Sequence, residues 1–240
     1  MGSGFLNQKD EKYASFKAIV DDSLTEVTAN MLSGITTITD YAFAGCQNLE
    51  SVTIPGTVNT IDNYAFSNCS KLSNVVMQNG VTSIGDGAFY SCFLLSNIVF
   101  SNAVTTIGSS VFRYCRHLNN LDLSVVTSIG EYGLSDCAFD NVTLPRVTNI
   151  GDNAFSSCSA LTSITISSSI TLIGSFAFSG CYKLSSVTVE ATTPPSLGNY
   201  VFSSTSSSLV IYVPSGSVET YKTANNWSTY ADKIQAIPSS

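Results

Sequence analysis

Seven cysteines, one histidine and a recurring acidic column are the residues of this chain whose types and spacing could do chemistry. The cysteines stand at Cys46, Cys69, Cys92, Cys115, Cys137, Cys158 and Cys181, separated by 23, 23, 23, 22, 21 and 23 residues. An odd number at a near-constant interval does not read as a disulfide framework. If each belongs to one turn of a stacked structure, successive Cα–Cβ bonds run parallel at roughly 4.7–4.9 Å. That arrangement disfavours the Cβ approach of about 3.8 Å that a disulfide needs. The thiols are therefore expected to be free, buried and apolar in character. No C-x-x-C occurs and His117 is the sole histidine, so no metal site is expected.

The acidic column, Asp40, Asn63, Asp86, Ser109, Glu131, Asp152, Ser175 and Asn199, stands ahead of an A-F-x-x-C segment in most repeats. Most of these residue types cap helices, and A-F-x-x-C has the length of a single helical turn. The column is thus read as capping rather than as catalysis or calcium binding. Glycine motifs for nucleotides, G-x-S-x-G and H-E-x-x-H are all missing, and one histidine is a poor basis for acid–base work. The chain is expected not to be an enzyme, with no catalytic, cofactor-binding or metal-ligating residue and no cofactor.

Binding chemistry concentrates at one place. The residues beside the cysteines are small and polar in most repeats, as at Ser67, Asn68, Ser70, Ser156, Ser157 and Ser159. Two consecutive repeats instead carry Tyr90, Phe93 and Leu94, then Arg113, Tyr114, Arg116 and His117. Arg and Tyr dominate interface energies, so this ridge is the first candidate for a partner-binding surface. The competing reading is local packing of one ridge residue on the next. A second candidate is an outward strand face carrying Thr53, Asn74, Asn97, Asn120, Asn141 and Thr165, which otherwise reads as a solvated sheet surface.

The elements that must position these residues follow from the same period. Three residues before each cysteine comes Phe43, Phe66, Phe89, Phe112, Leu134, Phe155 or Phe178, and five before those an isoleucine from Ile38 to Ile173. After each cysteine an L-x-x-V-x-I unit reads as a short strand, its apolar residues inward and Ser, Thr or Asn outward. A second extended piece, V-T-x-I, ends at that isoleucine and is followed by Gly85, Gly108, Gly130, Gly151 or Gly174, suggesting a positive φ or a tight corner. One such repeat cannot bury enough apolar surface to offset the entropy of ordering it, so neighbours must stack. Self-similarity at this period means a solenoid. The two shortened repeats between Cys115 and Cys158, where Gly133-Leu134 replaces Ala-Phe, predict a local irregularity.

Charged residues make up only 11% of the chain and the net charge is −7, so phosphate-dense nucleic acid is excluded as a partner. No run of about 18 apolar residues offers a membrane span. Residues 1–4 read as a cloning remnant and 5–23 as an amphipathic helical cap. Residues 24–214 form the solenoid of about eight repeats of 21–25 residues plus a closing strand, and 215–240 a C-terminal cap. Within that cap Ser217 is expected to cap a helix over 218–225, with Trp227, Tyr230 and Ile234 covering the open end.

The columns L-x-x-V-x-I, V-T-x-I-G and A-F-x-x-C together resemble the BspA-like leucine-rich repeats of bacterial surface proteins, over about residues 24 to 214. The resemblance implies a leucine-rich-repeat solenoid of short parallel strands with single helical turns. It also implies a secreted or cell-surface adhesion module that recognises host or neighbouring-cell proteins, any signal or anchor lying outside this sequence. The family motif fixes the scaffold and assigns no binding residue. A glycan-binding or glycan-processing surface protein and a structural spacer are the alternatives.

Overall fold

The computed structural model describes residues 23–239. The helix expected over 5–23 therefore lies outside the described residues except for Ser23, as does the remnant at 1–4.

Two kinds of strand alternate along the chain. The first half runs β1 (Glu26–Val27), β2 (Thr37–Ile38), β3 (Ser51–Ile54), β4 (Thr60–Ile61), β5 (Asn74–Met77), β6 (Ser83–Ile84), β7 (Asn97–Val99) and β8 (Thr106–Ile107). The second runs β9 (Ser128–Ile129), β10 (Asn141–Leu144), β11 (Asn149–Ile150), β12 (Ser163–Ile166), β13 (Leu172–Ile173), β14 (Ser186–Val189), β15 (Ser196–Leu197), β16 (Val210–Val213) and β17 (Ile234–Ala236). All pairings are parallel, joining each strand to its counterpart about one repeat away, as in Val52↔Val75 and Ile61↔Ile84. The L-x-x-V-x-I strands bury alternate residues, so Val52 and Ile54 point inward while Ser51 and Thr53 remain partly exposed. That alternation is what period-2 patterning dictates for a sheet with one wet face.

Both sheets are interrupted where irregularity was expected, and slightly earlier. One sheet is ordered β1-β3-β5-β7 and resumes as β10-β12-β14-β16-β17; the other is β2-β4-β6 and resumes as β8-β9-β11-β13-β15. The repeat at 118–123 forms no strand, although Leu118, Leu121 and Leu123 stay buried. Its turn is one residue short, and the Asp122 carboxylate accepts the Ser124 N–H at 2.9 Å in place of a ladder bond. Just before it, Phe100 fills the inward position held by Ile54 and Met77. Too large to be fully buried there, it leans on Phe112 with ring centroids 6.0 Å apart.

The corners depart from expectation. No helix forms at A-F-x-x-C, because each corner places two residues in the left-handed region: Tyr41 (φ 58) and Gly45 (φ 76) in one, Tyr64 (φ 54) and Asn68 (φ 59) in the next. Local turns such as Cys46 N–H to Phe43 O alternate with bonds to the following coil, as in Phe43 N–H to Ala65 O at 2.7 Å. The acidic column serves the coils in the same way. Asp40 Oδ1 accepts the Asn63 N–H, Asn63 Oδ1 the Asp86 N–H and Asp86 Oδ1 the Ser109 N–H, each at 2.9 Å. These side chains cap the neighbouring coil rather than their own. The glycines after the isoleucines do not have positive φ; they mark where coils touch. A Cβ on Gly174 would lie 2.5 Å from the Asp152 N and the Gly151 carbonyl carbon.

Inside, the phenylalanines stack ring on ring. Phe43–Phe66, Phe66–Phe89 and Phe89–Phe112 have centroids 5.1, 5.3 and 5.6 Å apart with planes within 9° of parallel. Beside them the seven thiols are free and buried. Each thiol from Cys69 onward donates to the carbonyl of the column residue one coil back, as Cys92 Sγ to Phe66 O at 3.1 Å and Cys158 Sγ to Leu134 O at 3.2 Å. Burial pushes the Cys115 thiol far above its ordinary range and Cys181 up to about 12. Iodoacetamide at pH 8 should therefore label no cysteine in the native protein and all seven after denaturation. Paired cysteines in a native digest, or partial native labelling, would contradict this column.

The C-terminal end closes the stack. The helix α1 is Val218–Thr223, shorter than expected, and no side chain caps it. Ser217 Oγ instead donates to Thr192 O at 2.7 Å, and Tyr221 Oη to Ala191 O at 2.8 Å, tying the cap to the coil beneath. Trp227 and Ile234 are buried and Tyr230 half-buried. The polypeptide then adds β17 beyond the strand expected to be last, pairing Ile211 with Ile234.

Candidate binding surface

The corner ridge is positioned by the cysteine column. Because Cys92 and Cys115 are fixed inside, the residues beside them project outward one coil apart. The structure brings the sequence-selected residues into one cluster. Tyr90 meets Tyr114 edge-on with centroids 5.6 Å apart. Arg116 lies over Phe93 at 5.7 Å and over Tyr114 at 5.8 Å. His117 Nδ1 approaches Phe93 O at 2.7 Å, and Phe93 and Leu94 are 38% and 43% exposed.

Arg113 is the centre of the cluster. Its guanidinium lies 3.9 Å from the Tyr132 ring centroid and 4.9 Å from that of Tyr114, and it donates from Nη2 to Tyr114 Oη at 3.1 Å. Tyr132 was not among the sequence-selected residues, since it sits in the neighbouring column, at the left-handed corner position (φ 54) of the following coil. The recurrence of an aromatic in that column, at Tyr41, Tyr64, Phe176 and Tyr200, was the sequence signal that could have found it. The Nε of Arg113 is buried without a hydrogen-bond partner, and neither Arg113 nor Arg116 is within ion-pair distance of a carboxylate among the described residues. Cation–π contact stabilises each arginine without neutralising it. The cluster is thus an aromatic patch carrying two arginines without a direct ion pair among the described residues, on an acidic chain.

Among the described residues no group of three His, Cys, Asp or Glu side chains could hold a metal ion. The strand face is less coherent than the sequence suggested. Asn74, Asn97 and Asn141 occupy one outward column, aligned with Ser51 and Ser163, and Asn97 Nδ2 donates to Asn74 Oδ1 at 2.5 Å. Thr53 and Thr165 fall in the other outward column, opposite Val76 and Thr143. Asn120 is exposed but lies in the repeat without a strand.

A family model for the BspA type leucine rich repeat region, with six copies, matches residues 15–138 and 127–228. The chain belongs to the BspA-type leucine-rich repeat family. This BspA-type chain is also similar to solved structures. It is 27% identical to a leucine-rich repeat protein from Bacteroides ovatus, with a TM-score of 0.58, over 68% of this chain and 53% of that one. It therefore spans about half the length of the Bacteroides ovatus protein. It is likewise 27% identical to the T. pallidum leucine-rich repeat protein, with a TM-score of 0.53, over 75% of this chain and 76% of that one. A leucine-rich cell surface protein from Faecalibacterium prausnitzii is 25% identical over 75% of this chain and 64% of that one, with a TM-score of 0.46. No curated protein matches the chain. The BspA-type solenoid has no helix among the described residues long and apolar enough to cross a membrane.

Proposed function

We propose that this BspA-type solenoid is a non-enzymatic adhesion module of a bacterial cell surface, whose Arg113–Tyr114–Arg116 ridge docks on an acidic segment of a partner protein. The surface location rests on family membership. The partner chemistry rests on one observation: two arginines held on aromatic rings with no carboxylate within ion-pair distance among the described residues, in a chain of net charge −7. Holding the guanidinium planes on the rings lowers the entropy lost on binding, and an acidic partner would accept hydrogen bonds from the exposed Arg116 guanidinium. The Asn/Thr strand face has no comparable feature: it carries no charged or aromatic side chain, and the Asn97 amide already bonds to Asn74.

Tyr114→Ser with Arg116→Ser tests this reading. Serine fits both places: Ser91 and Ser157 hold the left-handed position of Tyr114, and Ser70 and Ser159 stand where Arg116 does. A fluorescein-labelled peptide rich in Asp and Glu should bind the wild type more weakly as salt rises. The double variant should melt almost as the wild type does and lose roughly 2 kcal/mol of binding. Early unfolding of the variant would make the ridge mere packing. Normal melting with unchanged binding would move the binding surface elsewhere, the strand face first.

A further inference from the structure

One column of each corner is aromatic more often than its backbone favours. Tyr41, Tyr64, Tyr132, Phe176 and Tyr200 all stand there with φ between 54 and 58. Tyr41 stacks on Tyr64, and Phe176 on Tyr200, each pair with centroids 5.3 Å apart. Beyond Tyr64 the next coil closes over the ring, where a Cβ on Gly87 would fall 2.6 Å from the Tyr64 Cδ1. Tyr200 belongs to the last coil. Phe176 covers one face of its ring, no ring among the described residues covers the other, and it is 66% exposed.

Where a following coil would stand, a cleft of about 230 Å³ opens between Tyr200 and the C-terminal cap, lined also by Gly198, Asn199, Asn226, Thr229 and Tyr230. A cavity of about 150 Å³ takes up benzene, so this cleft has room for a six-membered ring with its substituents. No lining residue is charged. Asn226, held in a left-handed conformation (φ 62), donates from Nδ2 to Leu197 O at 2.6 Å, which leaves its Oδ1 free to accept. Tyr230 Oη accepts the Phe202 N–H at 3.3 Å and keeps its own proton to donate. The side chains of Asn199 and Thr229 make no hydrogen bond within the described residues.

We infer that this cleft binds a neutral pyranose, its apolar C–H face stacked on Tyr200 and its equatorial hydroxyls bonded to Asn199, Asn226, Thr229 and Tyr230. A charged ligand would lose its hydration without a counter-charge, and a purely apolar ring would leave four polar groups unsatisfied. A polyhydroxylated ring with one flat face meets both requirements. The inference is independent of the Arg113–Tyr114–Arg116 ridge, which lies in different coils.

Saturation-transfer NMR with methyl β-D-glucopyranoside at millimolar concentration tests it, with benzyl alcohol as the apolar control. Transfer should reach the ring C–H protons of the sugar in the wild type and in Arg116→Ser. In Tyr200→Ser, which should melt normally because Ser110 holds the same backbone position, affinity should fall at least about tenfold. Thr229→Ala, at an exposed hydroxyl, should weaken the sugar about threefold and serves as the second variant should Tyr200→Ser melt early. No transfer to the glucoside, transfer undiminished in both variants, or displacement of the glucoside by benzyl alcohol would overturn the inference.

Discussion

Phe66→Ala should destabilise the N-terminal half of the solenoid by about 3–5 kcal/mol, the cost of deleting a fully buried ring. Phe66 is 0% exposed and sandwiched between Phe43 and Phe89, so its removal breaks two stacking contacts and leaves a void that the coils on either side cannot close. Phe66→Leu should cost less, since Leu134 fills the same column position and is fully buried there. The location of the damage is as informative as its size. In a solenoid each coil is stabilised by its neighbours, and both sheets are interrupted between β6 and β10. Unfolding in urea followed by circular dichroism should therefore shift to lower midpoint in Phe66→Ala. The fluorescence of Trp227, the sole tryptophan, at the far end, should report a later transition. Coincident transitions would show that the strandless repeat at 118–123 transmits cooperativity in full.

Trp227→Ala should have an effect of similar size at the other end, about 3–5 kcal/mol for a buried tryptophan. The indole is 1% exposed, packs edge-on against Tyr221 at 4.9 Å and lies 6.5 Å from Phe202, the last ring of its stack. Its Nε1 donates to Pro195 O at 2.8 Å, so the substitution also orphans a carbonyl of the last coil. Trp227→Phe retains much of the apolar contact and should lose less, about 1–3 kcal/mol, the cost of leaving the buried Pro195 carbonyl unsatisfied. Without the cap, Phe202 and Val201 face solvent and the stack presents an open apolar cross-section. Size-exclusion chromatography of Trp227→Ala should show concentration-dependent association at temperatures where the wild type elutes as a single species. A monomeric variant with an unchanged melting curve would mean that α1 and β17 close the end without the indole.

The sequence by itself determined the solenoid, its inward columns and the ridge. Every coil repeats the same interior environment, so Cys92, Phe89 and Leu95 recur in step with a burial requirement that depends only on position within the coil. The ridge was legible for the opposite reason: Tyr90, Arg113 and Arg116 stand where that requirement is silent and other repeats place small polar residues. Only the tertiary structure decided what passes between coils. The bond from Asp40 to the Asn63 N–H spans 23 residues, and a one-residue change of stacking register would give it another partner. The same register put Tyr132 against Arg113, separated Thr53 from the asparagine column, and explained Gly174 by the backbone beneath it rather than by its own φ. It also placed Tyr200 beside an empty rung. A periodic sequence states which residues face inward, because burial is set within one coil. Contacts between coils depend on how far each is shifted against the next, and that is fixed only when the whole stack is assembled.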